Sequence, residues 1–405
     1  MEPSVHGRYL RHLAFAVLAI CAVTAFVNRA VNPYDLFADD WLRVGDKPET
    51  FTHLRLVKAA QTRHLRPRAL ILGSSRAETG LDPAHPGWAA RPVHNLGLSN
   101  ASIYEVRRYF EHACALADVR QAVLLLDFTS FLAGGTVTPD FREERLAIRP
   151  DGSLGASGVW HDLPSGLLTW SALSGSLATF WGREGEKRYL PDGSRDAASE
   201  DSRVLSKGGA VKAFAAYETK VLGSPVDPRV RIGDTELGHL QAILRLARAK
   251  NIDLRLALPP MHVRYLAILD LQGRWDLYQD WKRSLLRLVT EEAGESSPFL
   301  LFDFGVCTPE TTDPVPATGL ARYYYEASHF NKVLGNQLLD ITFGRRTGSD
   351  SAKPPGDFGH VLQPGTLDTH LKAVDQAFRN YQATHVPEMA RLKSMMAQSV
   401  PASLR

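Results

Sequence analysis

The stretch "RALILGSSRAETGLDP", residues 68–83, decides the predicted fold of this chain. Its apolar run Ala69–Leu72 has the length and composition of a strand that is buried on both faces, as strands of parallel sheets are. The run passes directly into Gly73, Ser74 and Ser75. Open α/β folds keep their ligands and catalytic groups at the carboxyl ends of their strands. The two hydroxyl groups at this position therefore mark a candidate site.

The rest of the body alternates apolar strands with amphipathic helices. This alternation predicts an α/β fold, with three α/β/α layers and a mainly parallel sheet of the flavodoxin-like kind. The further strands predicted are VHNL (93–96), QAVLLLDF (121–128), residues 254–258 and PFLLFDF (298–304), and the main helices are predicted within 102–117, 236–250, 277–293 and 329–343.

Composition divides the chain into segments. Residues 1–12 precede an apolar anchor segment, 13–31, and the α/β domain is predicted over 32–345. An insertion rich in Gly, Ser and Trp, residues 133–225, interrupts that domain, and we interpret it as a lid or a substrate-contact subdomain. A polar linker and C-terminal helices are predicted over 346–405.

The N-terminal run "LAFAVLAICAVTAFV", residues 13–27, carries no charge and follows Arg8, Arg11 and His12. A basic segment before an apolar core is typical of a signal peptide or a signal anchor. The sequence stays apolar where a cleaved signal would be followed by a polar start, which favours an uncleaved anchor. The preceding positive charges predict a cytoplasmic N-terminus and an extracytoplasmic body.

Charge and cysteine content exclude several classes of protein. Lys and Arg number 47 against 44 Asp and Glu, a net charge of +3, which is too balanced for a nucleic-acid surface. Three cysteines leave at most one pair in the body, Cys114 with Cys307, so no disulfide framework is expected. Neither metal-ligand spacing nor a Gly-rich phosphate loop occurs, so we predict no metal and no cofactor.

Residues 323–331, "YYYEASHFN", hold the second half of the candidate site. The spacing of Glu326 and His329 lets a carboxylate reach one imidazole nitrogen and leaves the other free to take a proton from a serine. Ser75 would then have the base that a serine nucleophile needs, and the backbone N–H groups of Ser75 and Gly97 would face the oxyanion. Each residue alone also has a structural interpretation, such as a helix cap for the serine.

Three motifs together resemble the SGNH, or GDSL-type, hydrolase superfamily. They are a strand ending in Gly-x-Ser, a second strand followed by a lone Gly, and an acidic-x-x-His near the C-terminus. "ILGSSRAETGLDP", "HNLGLSNASIYE" and "YYYEASHF" are similar to a branch of membrane-anchored bacterial proteins of cell-surface polysaccharide systems. That branch is related in architecture to periplasmic O-acetyltransferases and to the lipoteichoic-acid alanylation proteins. The resemblance covers roughly 68–132 and 236–343.

The resemblance implies a role for each matching residue. Ser75 matches the nucleophile, His329 the general base, Glu326 the orienting acid and Gly97 an oxyanion donor. The chain departs from the family in having Glu where Asp is usual, and in lacking the Asn that normally follows the third strand. Asn100 is the candidate substitute for that missing oxyanion donor.

Three further residues are candidates for substrate binding. Arg76 follows the serine directly and could contact an anionic group. His262 and Arg264 follow the strand at 254–258 and could line the same cleft.

The expected function is that of an extracytoplasmic serine esterase or O-acyltransferase, with O-acetyl the expected group, acting on a cell-surface or exported polysaccharide. The alternative is a non-catalytic, membrane-tethered component of a polysaccharide assembly or export complex that binds glycan in the same cleft. The expected partners are a polysaccharide or acylated glycan, the membrane, and proteins of polysaccharide biosynthesis or export. The resemblance implies a single-pass protein of a bacterial inner membrane with a periplasmic body.

Overall fold

The strands predicted from the apolar runs form one sheet, which extends through the centre of the body. Across the sheet the strands follow the order 2-1-3-4-5-6, counted along the chain, and the first five are parallel. The strands are β1 (Ala69–Leu72), β2 (Val93–Asn95), β3 (Gln121–Leu125), β4 (Asp253–Leu258), β5 (Leu301–Asp303) and β6 (His360–Val361). The computed structural model describes residues 5–42, 47–155, 159–181, 188–224, 226–227, 229–293, 298–344 and 358–399.

Strand β1 occupies the position from which the sheet extends in both directions. All of its residues are buried, and Ile71 lies beside Asn95 of β2 on one side and Val123 of β3 on the other. The order 2-1-3-4-5 is that of flavodoxin-like sheets, whose ligands bind at the carboxyl ends of β1 and β3. The predicted α/β class with a mostly parallel sheet is confirmed. Ser75 lies just after β1, at the carboxyl edge of this sheet.

The helices connect and cover these strands. The predicted helix over 329–343 begins only at residue 332, because Asn331 caps it by accepting hydrogen bonds from the N–H groups of Val333 and Leu334. In the described residues the helices are α1 (Val5–Val31), α2 (Glu49–Thr52), α3 (Leu54–Leu65), α4 (Ser75–Gly80), α5 (Ile103–Leu116), α6 (Val159–Leu168), α7 (Trp170–Trp181), α8 (Ala197–Ser206), α9 (Ala210–Leu222), α10 (Asp234–Ala249), α11 (Val263–Leu271), α12 (Trp275–Ala293), α13 (Lys332–Thr342), α14 (Leu367–Thr384) and α15 (Val386–Ser399).

The predicted C-terminal segment contributes more to the body than the sequence indicates. Strand β6 pairs antiparallel with β5, which makes the sheet mixed, and the Leu362 N–H donates to the Leu301 carbonyl at 2.8 Å. A two-residue strand has no hydrophobic period that a sequence could display. Residues 345–357, which include most of the predicted linker, lie outside the described residues.

The N-terminal helix α1 is longer than the predicted anchor segment. Its segment His6–Val31 has 26 residues, and the most apolar 18 consecutive residues in it have a mean hydropathy of 2.1, enough in length and composition to cross a membrane. Side chains from residue 8 to residue 23 are exposed. The contacts of α1 with the body begin only in its last turns.

The turn after β1 requires a glycine. Gly73 has φ +140°, and a Cβ atom there would lie 2.8 Å from the Leu125 carbonyl oxygen at the end of β3. The Gly73 carbonyl accepts the Leu98 N–H at 2.9 Å, which ties the turn to the chain after β2 as well. The close contact with both neighbouring strands sets the direction in which Ser75 leaves the sheet.

We expect Gly73→Ala to lower the free energy of unfolding by about 2–4 kcal/mol, because it adds both backbone strain and a steric clash. Gly238→Ala is the matched control, since Gly238 is an exposed residue of α10 with open space around its Cβ position. That change should raise the free energy of unfolding by about 0.5–1 kcal/mol through helix propensity. Chemical unfolding of the full chain measures both, and equal effects would contradict this account of the turn.

Candidate active site

Ser75 and His329 meet at the carboxyl edge of the sheet although they lie 254 residues apart. The distance between Ser75 Oγ and His329 Nε2 is 2.7 Å. Ser75 is the first residue of α4, and the Ser74 hydroxyl caps that helix by accepting the Arg76 N–H at 3.3 Å. His329 comes from the loop between β5 and α13. This contact places a basic nitrogen directly on the candidate nucleophile.

Glu326 lies on the other side of the imidazole. Its Oε1 contacts His329 Nδ1 and accepts the His329 backbone N–H at 2.9 Å, while its Oε2 accepts the Ser328 N–H at 3.1 Å. The carboxylate thus folds back over its own loop, which accommodates the extra methylene of Glu relative to Asp. With Nδ1 facing a carboxylate, the proton resides on Nδ1 and Nε2 accepts the Ser75 hydroxyl proton.

The loop that carries Glu326 and His329 is held by its own backbone. The Tyr325 N–H donates to the His329 carbonyl at 2.9 Å, and the Asn331 N–H donates to the Tyr323 carbonyl at 2.8 Å. These bonds close a narrow hairpin that presents the two functional side chains at its tip. The spacing of three between the acid and the base therefore follows from a turn, with α13 starting only afterwards.

Arg76 binds this loop to the sheet. Its guanidinium contacts the Asp127 carboxylate, donates from Nε to the Ser328 carbonyl at 3.1 Å and from Nη2 to Ser328 Oγ at 2.6 Å. Arg76 and Asp127 are 6% and 3% exposed. Burial alone would lower the pKa of Arg76, but the Asp127 carboxylate raises that pKa above its ordinary value. Arg76 lines the cleft, yet its guanidinium is already engaged by protein groups.

Of the three predicted oxyanion donors, two can be reached from the cleft and one is bonded within the protein. Ser75 N–H has no hydrogen-bond partner among the described residues, and Asn100 lines the cleft with an exposed side chain. Gly97 is buried, and its N–H donates to Asn95 Oδ1 at 3.0 Å. Thr129, which follows β3, also lines the cleft. Ser75 and Asn100 are therefore the predicted donors that the cleft can reach.

The predicted substrate-binding residues His262 and Arg264 do not line this cleft. His262 caps α11 by accepting the Arg264 N–H at 3.2 Å, and its Nε2 lies 2.9 Å from the Asp313 carbonyl. Burial lowers the pKa of His262 to about 4. Arg264 forms an ion pair with Glu388 at 2.6 Å. Both residues hold α11 and the C-terminal helices to the body.

A cleft of about 900 Å³ opens in front of Ser75 and His329. The insertion supplies one wall through α9, whose Tyr217 ring lies edge-on to the His329 ring at 6.2 Å. Tyr217 could not be predicted from the sequence, because a helix face inside an irregular insertion carries no local sign of what it covers. The serine and threonine side chains that line the cleft are Ser74, Ser75, Thr79, Ser99, Ser102, Thr129, Ser130, Thr136, Ser224 and Ser328.

The insertion is tied to the body by Arg195. This side chain, 3% exposed, donates to Glu78 of α4 at 2.7 Å, to Glu200 at 3.0 Å and to Ser99 Oγ at 3.0 Å. Burial alone would lower the pKa of Arg195, but the Glu78 carboxylate raises it above its ordinary value. The insertion is therefore joined by a buried ionic contact to the same short helix that begins with Ser75.

No protein-family model matches this chain, and no curated protein matches it. The function must therefore be inferred from the residues of the cleft and their geometry.

We expect Asp127→Asn to lower the free energy of unfolding by about 3–5 kcal/mol, because it leaves the buried Arg76 charge without its partner. Asp280→Asn is the matched control, since Asp280 pairs with Arg283 at 3.0 Å while both side chains are exposed. That pair should contribute less than about 1 kcal/mol. Chemical unfolding of the full chain measures both variants, and a small effect at Asp127 would remove the structural role assigned to Arg76.

Proposed function

We propose that this protein is an extracytoplasmic serine esterase or O-acyltransferase that acts on ester groups, such as O-acetyl groups, of a polysaccharide. The observation that carries the proposal is the 2.7 Å contact between Ser75 Oγ and His329 Nε2, with Glu326 on the opposite imidazole nitrogen. A serine, a base within hydrogen-bond reach and a group that orients the base are the components of nucleophilic acyl transfer.

In the first half of the reaction, Ser75 Oγ attacks the ester carbonyl while His329 Nε2 takes the hydroxyl proton. Glu326 stabilises the resulting imidazolium through Nδ1. The Ser75 N–H and the Asn100 side chain would donate to the oxyanion. Collapse of the tetrahedral intermediate breaks the ester C–O bond, and His329 returns its proton to the leaving alcohol. Ser75 is then acylated.

In the second half, a hydroxyl group attacks the acyl carbon of the acyl-enzyme and gives its proton to His329 Nε2. The bond between the acyl carbon and Ser75 Oγ then breaks, and His329 returns the proton to Ser75. If that hydroxyl belongs to water, the product is a free acid, and if it belongs to a sugar, the acyl group is transferred. Both outcomes use the same intermediate and the same residues. The proposal therefore includes both esterase and acyltransferase activity.

The lining of the cleft supports a glycan rather than a lipid as the substrate. Ten serine and threonine side chains line it, together with Asn100 and Gln272, and they can form hydrogen bonds with sugar hydroxyls. Its aliphatic lining residues are mostly alanines and valines, such as Ala213, Ala216 and Val221, whose side chains are short. A long acyl chain would need a continuous apolar groove to bury its methylene groups.

We further propose that the body has the three-layer arrangement of SGNH-type hydrolases and that α1 anchors it to a bacterial inner membrane. The basic residues Arg8 and Arg11 before the apolar stretch support a cytoplasmic N-terminus and a periplasmic body. Proteins of polysaccharide biosynthesis or export are the proposed partners in that compartment.

A second candidate function is non-catalytic glycan binding within a polysaccharide assembly or export complex. The observation that favours it is the Gly97 N–H, which donates to Asn95 Oδ1 instead of the cleft. Together with the missing Asn after β3, this leaves fewer oxyanion donors than an SGNH hydrolase uses.

A serine-reactive phosphonate ester, followed by intact mass and peptide mapping of the full chain, separates the two candidates. We expect an adduct on Ser75, and we expect His329→Ala to slow its formation by about 100-fold or more, because the serine loses its base. His385→Ala, which removes an exposed histidine, should change the rate by less than about twofold.

Glu326→Gln should slow labelling as well, because the imidazole loses the carboxylate that fixes its tautomer. If the folded protein gives no adduct on Ser75 at any pH, the catalytic proposal fails and glycan binding becomes the conclusion.

A further inference from the structure

Helix α9 lines the cleft along most of its own length. Residues of one helix face line it, at the spacing of three and four that a helix produces: Ala213, Ala216, Tyr217, Lys220 and Val221. Helix α9 has 13 residues and is about 20 Å long. Lys207 lines the cleft just before this helix begins, and Lys220 lines it near the helix end. Tyr217, which contacts the His329 ring edge-on, lies between these two lysines in the chain.

The cleft carries positive charges that the protein does not neutralise. Three of its basic residues, Arg76, Arg195 and Arg203, form ion pairs with carboxylates. The others are Lys207, Lys220 and Arg274, and none of them has an ion-pair partner among the residues the structure describes.

Arg274 and its neighbour Gln272 show a second sign of a missing ligand. Arg274 Nε and Gln272 Oε1 are both buried, and neither has a hydrogen-bond partner within the described ranges. Both residues line the cleft at the end where Lys220 lies, and Gln272 Nε2 donates to the Val221 carbonyl at 3.0 Å. Buried polar groups without partners are rare, because each one costs free energy. Both side chains are only half-buried, so their exposed atoms can contact a ligand in the cleft.

We propose that the cleft binds a carboxylate-bearing polysaccharide that extends along α9, with its carboxylates contacted by Lys207 at one end and by Lys220 and Arg274 at the other. A guanidinium group matches the geometry of a carboxylate. The sugar at the middle of such a chain would lie beside Tyr217 and His329, so the enzyme would act on internal residues of a polymer. This inference deepens the proposed function and rests on it.

The test uses full-length protein with Ser75→Ala, which prevents turnover, and measures the binding of two fluorescently labelled ligands. One is an oligogalacturonate, and the other is the same oligomer with its carboxylates methyl-esterified. We expect the acidic oligomer to bind about tenfold more tightly or better, and its affinity to fall as salt is added. Equal affinities, or no binding of either oligomer, would overturn the proposal.

Variants then locate the contacts. Lys220→Gln combined with Arg274→Gln should weaken binding of the acidic oligomer about tenfold or more and leave binding of the esterified oligomer unchanged. Lys212→Gln is the matched control, because Lys212 is exposed on the same helix and does not line the cleft. An equal effect of Lys212→Gln would show a non-specific charge effect and would overturn the assignment.

The two proposals can fail separately. Phosphonate labelling of Ser75 does not depend on Lys207, Lys220 and Arg274. If Ser75 is labelled but binding does not depend on charge, the acidic polymer is rejected as the ligand and the proposed esterase or acyltransferase activity stands. Charge-dependent binding without labelling rejects catalysis and keeps the anionic glycan as the ligand of a binding protein.

A second inference concerns the membrane and depends on a different part of the molecule. Helices α6 and α7 pack against the last turns of α1. There Asn28 donates from Nδ2 to the Leu167 carbonyl at 2.9 Å, and its Oδ1 accepts from Ser176 Oγ at 2.8 Å. Nearer the start of α7, the Tyr34 hydroxyl donates to Ser171 Oγ at 2.9 Å. Helix α7 therefore runs antiparallel to the chain of α1, and its last turn lies beside the apolar stretch.

Large aromatic side chains are exposed around this junction. Trp170 is 76% exposed, Trp181 78%, Trp41 54% and Phe180 52%. Arg29 stacks on the Trp41 ring at 4.3 Å, at the polar end of the apolar stretch. Tryptophan side chains concentrate at the boundary between lipid and water, because one part of the ring is apolar and the other donates a hydrogen bond.

We infer that the last turn of α7 lies in the headgroup region of the phospholipid bilayer that α1 crosses, with Phe180 and Trp181 in contact with lipid. We infer lipid as the partner of this apolar surface because the surface adjoins α1, whose side chains from residue 8 to residue 23 are also exposed. The body would then be attached to the membrane both through α1 and through the lipid contact of α7.

Tryptophan quenching by brominated phospholipids tests this contact in full-length protein reconstituted into nanodiscs. Trp181→Phe should remove part of the quenched emission. Trp275→Phe, which replaces a tryptophan buried in the body, should leave the quenched part unchanged. If Trp181→Phe keeps the same quenched emission as the unchanged protein, the last turn of α7 does not contact lipid.

Discussion

The buried ion pair between Arg76 and Asp127 is the contact on which the candidate site depends. Arg76 follows Ser75 directly, Asp127 follows β3, and the same guanidinium donates twice to Ser328, the residue before His329. One side chain thus joins the serine turn, the neighbouring strand end and the histidine loop. A buried ion pair need not stabilise a fold more than apolar residues would, but losing one partner is costly. That cost holds the two halves of the site together.

The remaining geometry follows from the sheet. Because β1 lies between β2 and β3, the turn at Gly73 is in close contact with Leu125 on one side and Leu98 on the other. Ser75 can leave the sheet in one direction only, into the crevice where doubly wound sheets bind their ligands. The histidine loop then needs only a short hairpin, closed between Tyr325 and His329, to reach it.

Local signals predicted the strands and the functional side chains, because burial on both faces and the spacing of Glu326 and His329 can be recognised within a few residues. The partner of Arg76 could not be predicted, since an ion pair between residues 76 and 127 depends on which strand ends meet. The α9 wall, β6 and the free cations Lys207, Lys220 and Arg274 were missed for the same reason. The role of each depends on contacts between segments that are far apart in the chain.

The Gly97 N–H limits the catalysis that this site can provide. It donates to Asn95 Oδ1, and loss of one oxyanion donor lowers kcat by about 10²–10³-fold in enzymes that use this chemistry. The serine, its base and the two donors at the cleft would still act on an ester held beside them, because proximity supplies a large part of the acceleration. A cleft with cations at both ends could hold a polymer long enough for such a reaction. A modest turnover rate would therefore be consistent with an enzyme, and only the absence of a reactive Ser75 would leave binding as the function.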